Sequence, residues 1–419
     1  MLFNSAEFLF LFLPFTIITF LTLAKRFGNE AAILGLVGCS LFFYGWWNPI
    51  YLVLLICSMG FNYYLGRIIS KRADKKLLII GISVNLFAIA YFKYTGFILE
   101  NVNSITSSDF SAGDIILPLA ISFFTFQQIA YLVDSYKGIT KEYSILHYAL
   151  FVSFFPQLIA GPIVHHRDML PQFERSRRYR LNASDVGIGI TIFAIGLFKK
   201  TVLADGVSVY ANPVFNLAEQ GEAIDFFAAW GGALAYTFQL YFDFSGYSDM
   251  AIGIARIFGI ILPLNFYSPY KAANISEFWR RWHMTLSQFL RDYVYIALGG
   301  NRKGKISRYS NLLITMLLGG LWHGAGWNFV IWGGLHGTYL VINHSWQFIL
   351  HRNSAAHIQN SSLYRYFAWF LTMLAVIIGW VFFRATSLDG ALTIIQGMIG
   401  LNGISLPLIQ IFPTSFIGE

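Results

Sequence analysis

Residues 319–337 read GGLWHGAGWNFVIWGGLHG, an apolar run that nevertheless carries His323, Asn328 and His336 among Trp322, Trp327, Trp332 and repeated glycines. A histidine at membrane depth is expensive and normally faces a bundle interior or a water-filled cavity. It is also the side chain best suited to taking and returning a proton near neutral pH. Glycines on both sides let a backbone or a substrate come close to the ring. The run therefore reads as a catalytic base, His323, held inside a membrane-embedded tunnel. The plainer alternative is a structural histidine that bonds a neighbouring carbonyl, since polar contacts between membrane helices are common. The rest of the chain has to decide between them.

Other chemistries find little support in the spacing. His323 and His336 are thirteen residues apart, about 220° around a continuous helix, so on one helix they would not share a face. His165 and His166 are adjacent in a basic loop, and no HExxH, CxxC or two-His-one-carboxylate run occurs, so no metal site is expected. The sequence has neither a glycine-rich nucleotide loop after a strand nor a G-x-S-x-G elbow. Asp243, Ser245 and Asp249, in QLYFDFSGYSD, lie in or beside an apolar run, where acids are rare unless paired or hydrated. Arg256, Arg280 and Arg281 are candidate counterions, and an ion pair that fixes helix packing is favoured over a direct catalytic role.

The elements that would position these residues are membrane helices. The 419 residues are 56% hydrophobic and only 12% charged, against about 25% charged in a soluble domain, and the mean hydropathy is +0.57. The fold class is all-α, a polytopic helical membrane protein; a membrane β-barrel would need short alternating segments instead. Runs long enough to span fall near 8–24, 31–57, 77–98, 115–134, 145–163, 186–206, 226–243, 246–262, 311–331, 332–350 and 364–385. That is about eleven spans, with re-entrant or interfacial pieces, around a central tunnel in a single domain over 1–419. Pro49, in Trp46-Trp47-Asn48-Pro49, should end or kink the second run. The first 24 residues read as a retained helix rather than a cleaved signal. Cys39 and Cys57 read as small packing residues.

The net charge of +8 does not point to nucleic acid. The basic residues gather in the loops 67–76, 165–180 and 302–308, as expected of loops on the cytoplasmic side facing anionic headgroups. One segment differs from the spans. In 274–296, NISEFWRRWHMTLSQFLRDYVYI, Ile275, Phe278, Trp279, Trp282, Leu286, Phe289, Leu290 and Tyr293 form the stripe of an amphipathic helix. Asn274 and Glu277 resemble a capping box at its start. Such a helix lies in the interface or dips into the protein, and His283 sits at the border of its stripe.

Taken in order, six segments resemble one family: ILPLAISFFTFQQIAYLVDSYKG (116–138), FFPQLIAGPIVHHRDMLPQF (154–173), GLFKKTVLAD (196–205), QLYFDFSGYSDMAIGIARIFG (239–259), EFWRRWHMTLSQFLRDYVYIALGGNRKG (277–304) and LLGGLWHGAGWNFVIWGGLHG (317–337). They are similar to the membrane-bound O-acyltransferases, within them to the bacterial alginate O-acetyltransferase branch. Members of that branch commonly continue with further helices, whereas this chain stops at Glu419, so a C-terminal truncation is expected.

The resemblance implies that His323 is the essential histidine and His283 its upstream partner. Trp322, Asn328, His336, Trp279 and Arg280 become the candidate substrate-binding residues. It implies a multi-pass enzyme of the bacterial inner membrane, with no bound cofactor and acetyl-CoA as donor. The acceptor would be an exported polysaccharide such as alginate, reached directly or through a periplasmic acetyltransferase partner. The alternatives are transfer of D-alanine or of acyl groups to peptidoglycan within the family, and a proton-coupled transporter or flippase outside it. An acyl-enzyme is the weaker route, because no activated Ser or Cys stands beside either histidine.

Overall fold

Prolines and capping side chains cut the apolar sequence into helices. In this computed structural model, which describes residues 1–113, 115–140, 144–175, 182–354 and 356–405, every regular element is a helix. The second run breaks as expected. Helix Asn29–Gly45 ends before Trp46, and helix Pro49–Arg72 starts on Asn48, whose side chain accepts from the Ile50 N–H at 2.9 Å. Pro49 suits that first turn because the N–H it lacks would have had no helical partner.

Five helical stretches among the described residues are long and apolar enough to cross a membrane: Glu7–Phe27, Pro49–Arg72, Lys75–Thr106, Ala183–Glu219 and Ser362–Arg384. Other expected spans take different forms. The runs at 115–134 and 145–163 shorten to Ile121–Tyr136 and Ile145–Ser153, below the ~20 residues a crossing needs. Pro118 precedes the first and Pro156 follows the second. The runs at 226–243 and 246–262, read as two spans, are one 32-residue helix, Phe226–Ile257. Nothing between them breaks a helix, since a single interior glycine costs only ~1 kcal/mol.

The chain forms two compact units. The first comprises Met1–Lys199, Phe244–Tyr267 and Arg280–Ala297. Its core is aromatic: Phe8, Phe12, Phe43 and Phe155 pack ring on ring, and Phe155 meets Phe258 edge-on. Gly189 and Gly253 let two helices approach until a Cβ on either would meet backbone at 2.5–2.6 Å. Several polar groups here are paired. Asn62 and Asn85 exchange two side-chain hydrogen bonds, of 2.7 and 3.2 Å. Asp249 pairs with Lys199 at 2.6 Å, and Arg256 with Asp185 at 2.8 Å. The expected arginine counterion of Asp249 is thus corrected to a lysine, since Arg256 is committed elsewhere. Buried Asp134 accepts from the Tyr293 hydroxyl at 2.8 Å and lies 3.5 Å from His166 Nδ1.

The second unit comprises Lys200–Asp243, Ser268–Trp279 and Leu298–Glu419. Here Asp243 pairs with Lys200 at 2.7 Å, again a lysine rather than an arginine. Helices Gly304–His323 and Trp327–Arg352 form an antiparallel hairpin whose glycines set the spacing. A Cβ on Gly320 would lie 2.2 Å from Phe329 O, one on Gly333 2.4 Å from Met316 O, and one on Gly337 2.9 Å from Leu313. Helix Ser362–Arg384 packs beside the hairpin. Trp346 Nε1 donates to Tyr364 Oη near its start, and Asn328 Nδ2 donates to Ala385 O past its end. Glu219 accepts from the backbone of Thr386 and Ser387, fixing the entry to helix Leu388–Met398.

Candidate active site

The break in the hairpin falls on the histidine. The sequence runs divide at 331/332, but the helix stops at His323, Gly324–Gly326 are extended or bent, and the next helix starts at Trp327. Gly324 is required there, because a Cβ would meet the Phe329 ring at 2.0 Å. His323 is therefore the last residue of its helix, where the chain reverses. This overturns the geometric expectation for the pair His323 and His336, which assumed one continuous helix. Across the reversal both rings pack on Trp332, whose centroid lies 5.0 Å from His323 and 4.8 Å from His336.

The three rings belong to a larger aromatic cluster in the second unit. Trp322 and Phe383 stand 4.8 and 5.0 Å from His323, both edge-on. Trp279 meets His336 at 5.3 Å and Trp332 at 5.8 Å. Phe278 stacks on His336 at 6.2 Å and Trp380 lies 6.0 Å from it. Accessibility separates the two histidines. His336 is fully buried, whereas His323 is half-buried and can be approached. Among the described residues neither ring nitrogen of His336 has a hydrogen-bond partner, nor has the indole N–H of Trp279 or Trp332. A buried polar group left unmet costs ~1–3 kcal/mol. These nitrogens mark where a water or a polar group of a substrate would be stabilised.

Other expected site residues take different places. Asn328 is buried and spends its amide on the Ala385 carbonyl, at 2.8 Å, so it braces two helices rather than lining an open pocket. Arg280 is exposed and belongs to the first unit, one residue beyond Trp279.

His283 also belongs to the first unit, and the amphipathic helix expected over 274–296 is broken at it. Helix Ile275–Arg281 ends, His283 takes φ 42° and ψ 54°, and helix Met284–Phe289 begins. The capping reading holds at its start: Asn274 Oδ1 accepts from Glu277 N–H at 2.9 Å, and Glu277 reaches back to Ala273 N–H at 3.0 Å. The apolar stripe is buried as expected from Ile275 to Leu290. A left-handed conformation is uncommon for histidine, and such positions cluster at functional sites because the surroundings must hold them.

Asn265, which the sequence analysis did not single out, does the holding. Its backbone carbonyl accepts from Met284 N–H at 2.9 Å, and its Oδ1 accepts from Thr285 Oγ1 at 2.9 Å. The Thr285 backbone N–H also points at Oδ1, at 3.4 Å, which identifies that atom as the oxygen. Oδ1 therefore needs a donor from His283 Nδ1, 3.0 Å away. The proton then sits on Nδ1, and Nε2 carries the lone pair. Phe244 and Phe266 wall the ring, and burial lowers the His283 pKa to about 3, so the imidazole is neutral. The only hint in the sequence was the polar Asn265 inside an apolar stretch.

Among the described residues no group of three or more His, Cys, Asp or Glu side chains could hold a metal ion. In the second unit the hairpin leaves the His323 imidazole open to approach, and in the first the fold presents an uncharged imidazole at His283.

Comparison with known proteins places the chain in a family. The membrane-bound O-acyltransferase family profile matches residues 132–388. A peptidoglycan O-acetyltransferase of Helicobacter pylori is 47% identical, over 97% of this chain and 81% of its own length. A probable alginate O-acetylase of Pseudomonas aeruginosa is 42% identical, over 96% of this chain and 75% of its own. A teichoic acid D-alanyltransferase of Streptococcus thermophilus is 32% identical, over 54% of this chain and 57% of its own. The chain belongs to the membrane-bound O-acyltransferase family and is a multi-pass membrane enzyme that transfers acyl groups to hydroxyls.

Proposed function

We propose that the enzyme moves acetyl groups from acetyl-CoA, on the cytoplasmic face of the inner membrane, to a hydroxyl of an exported polysaccharide, directly or through a periplasmic partner. The observation that carries this reading is His323 at a chain reversal, half-buried and walled by Trp322, Trp332 and Phe383. A neutral imidazole there takes the proton of the acceptor hydroxyl as its oxygen attacks the thioester carbonyl. The C–S bond breaks, the imidazolium returns the proton to the departing thiolate, and the ring ends neutral. The orphan indole N–H groups nearby supply donors for the charge that develops on the carbonyl oxygen. His283, neutral and fixed in one tautomer, orients the acceptor.

Acetyl transfer is favoured over D-alanyl transfer because the two O-acetylating relatives align over 96–97% of this chain and the D-alanyltransferase over 54%. The test is acetyl release from labelled acetyl-CoA by the purified protein. His323→Ala is expected to lose on the order of 10³-fold in turnover, within the range of a general acid–base. A folded His323→Ala protein that turns over donor at the parental rate would remove the assignment. Flux of an intact solute into proteoliposomes without any donor would instead favour a transporter.

A further inference from the structure

Two cavities of the second unit meet at Ala273. One, of 380 Å³, is an apolar groove between helices Trp327–Arg352 and Ser362–Arg384, lined among others by Tyr339, Trp346, Phe367, Leu371 and Ala375. The other, of 410 Å³, carries both Lys271 and Arg365, with Tyr366 and Trp369 beside them. Among the described residues no carboxylate lines either cavity. Both cations are exposed, and among the described residues neither is ion-paired.

The hairpin fixes which end of the unit this is. Its contacts pair residue 320 with 329, 316 with 333 and 313 with 337, and Lys305 Nζ stands 3.6 Å over the Phe348 ring. Lys305, Arg308 and Arg352 therefore share one end. Trp346 bonds Tyr364, so Arg365 starts the next helix at that end, and Trp369 Nε1 donates to Tyr270 O at 2.8 Å, which brings Lys271 there too. Basic residues clustered at helix ends in this way mark the cytoplasmic side, where the leaflet is anionic and basic pockets between helices take anionic headgroups. Exposed Tyr366 and Trp369 suit the headgroup level.

We infer that the two cavities together seat one anionic phospholipid of the cytoplasmic leaflet, its phosphodiester between Lys271 and Arg365 and an acyl chain in the groove along Trp346, Phe367 and Leu371. A soluble anion would use the cationic cavity and leave the groove empty. A zwitterionic lipid would bring an ammonium to two uncompensated cations. The inner wall of the groove is Tyr339, whose ring lies 5.7 Å from His336, so the seated chain backs the wall behind that histidine.

The test reconstitutes the full chain in phosphatidylcholine vesicles doped with phosphatidylglycerol, extracts it gently and counts retained lipid by native mass spectrometry. Wild type is expected to keep one phosphatidylglycerol per chain, with a preference of roughly 25-fold, about fivefold for each cation. Lys271→Gln with Arg365→Gln is expected to fall to parity between the lipids. Ala375→Phe, which fills the groove and leaves both cations, is expected to lose the lipid as well. Parity in wild type, or full retention by the double glutamine variant, would reduce the site to ordinary annular lipid and overturn the inference. Retention by Ala375→Phe with the preference intact would overturn the seating of the chain.

Discussion

His283 and His323 are positioned by different means. His283 is buried; Asn265 bonds its ring nitrogen and the segment after it, and the backbone is held in a left-handed conformation. His323 is half-buried at the end of a helix, and what surrounds it is aromatic: Trp322, Trp332, Phe383 and, through Trp332, His336. The polar pocket fixes a tautomer and admits little else. The aromatic pocket leaves the ring half-buried at a chain reversal, where a substrate can reach it. A group proposed to move a proton has to be within reach of its substrate, and a group proposed to direct a partner has to be held in one orientation.

The largest effect that would break this comparison comes from exchanging side chains at 283. His283→Ala is expected to lower turnover roughly 100-fold, less than His323→Ala, because an orienting hydrogen bond contributes less than the proton transfer itself. Asn265→Ala should follow it partway, by roughly tenfold, as the tautomer is released while the ring stays. The measurement is kcat and KM for both variants, with circular dichroism to confirm helix content. Equal losses at 283 and 323, or an Asn265→Ala enzyme at parental rate, would end the division of labour.

A smaller effect tests the aromatic pocket. Gly379 faces His336, and a Cβ there would lie 2.8 Å from Nε2. His336 is enclosed on every side, so it cannot give way without moving Trp332. Gly379→Ala is expected to cost about 1–3 kcal/mol of stability and roughly tenfold in kcat, with KM little changed. Gly334→Ala is the control, since its Cβ would make only an ordinary 3.6 Å contact with Leu317; it should stay within about twofold of wild type. If both glycine variants behave alike, Trp332 does not transmit the position of His336 to His323.

These pockets also show what the sequence could and could not reveal. The stripe from Ile275 to Leu290 and the break at Pro49 were legible, because helical period and the missing proline N–H act locally. The Asn274–Glu277 cap was legible for the same reason. The partnership of His323 with His336 was not. It depends on a reversal at Gly324–Gly326, and glycine in a membrane run signals close packing as readily as a break. Asn265 was missed because its value lies in bonds to residues 283–285, some twenty positions later. The lysine partners of Asp243 and Asp249 were missed in favour of arginines nearer in sequence, since only tertiary packing brings Lys199 and Lys200 to them.

The smallest effect follows from the titration of His283, which lies outside the spanning helices. Burial holds its folded pKa at about 3, below the ~6.5 of an unfolded histidine. Between those values the unfolded chain binds a proton that the folded chain refuses. Stability from this group is therefore fully present above pH ~6.5 and is lost as pH falls toward 3. Its ring is walled by Phe244 and Phe266 and bonded to Asn265, so burial rather than a charged neighbour sets the sign. His283→Asn tolerates the left-handed backbone and does not titrate. From pH 7 to pH 5.5 wild type should lose about 1 kcal/mol more than this variant, read as a gap in melting temperature that widens by roughly 1 °C. Parallel curves for the two proteins would mean that His283 takes up its proton in the folded state. The buried ring would then exchange its proton inside the fold, and the contrast between the two histidines would collapse.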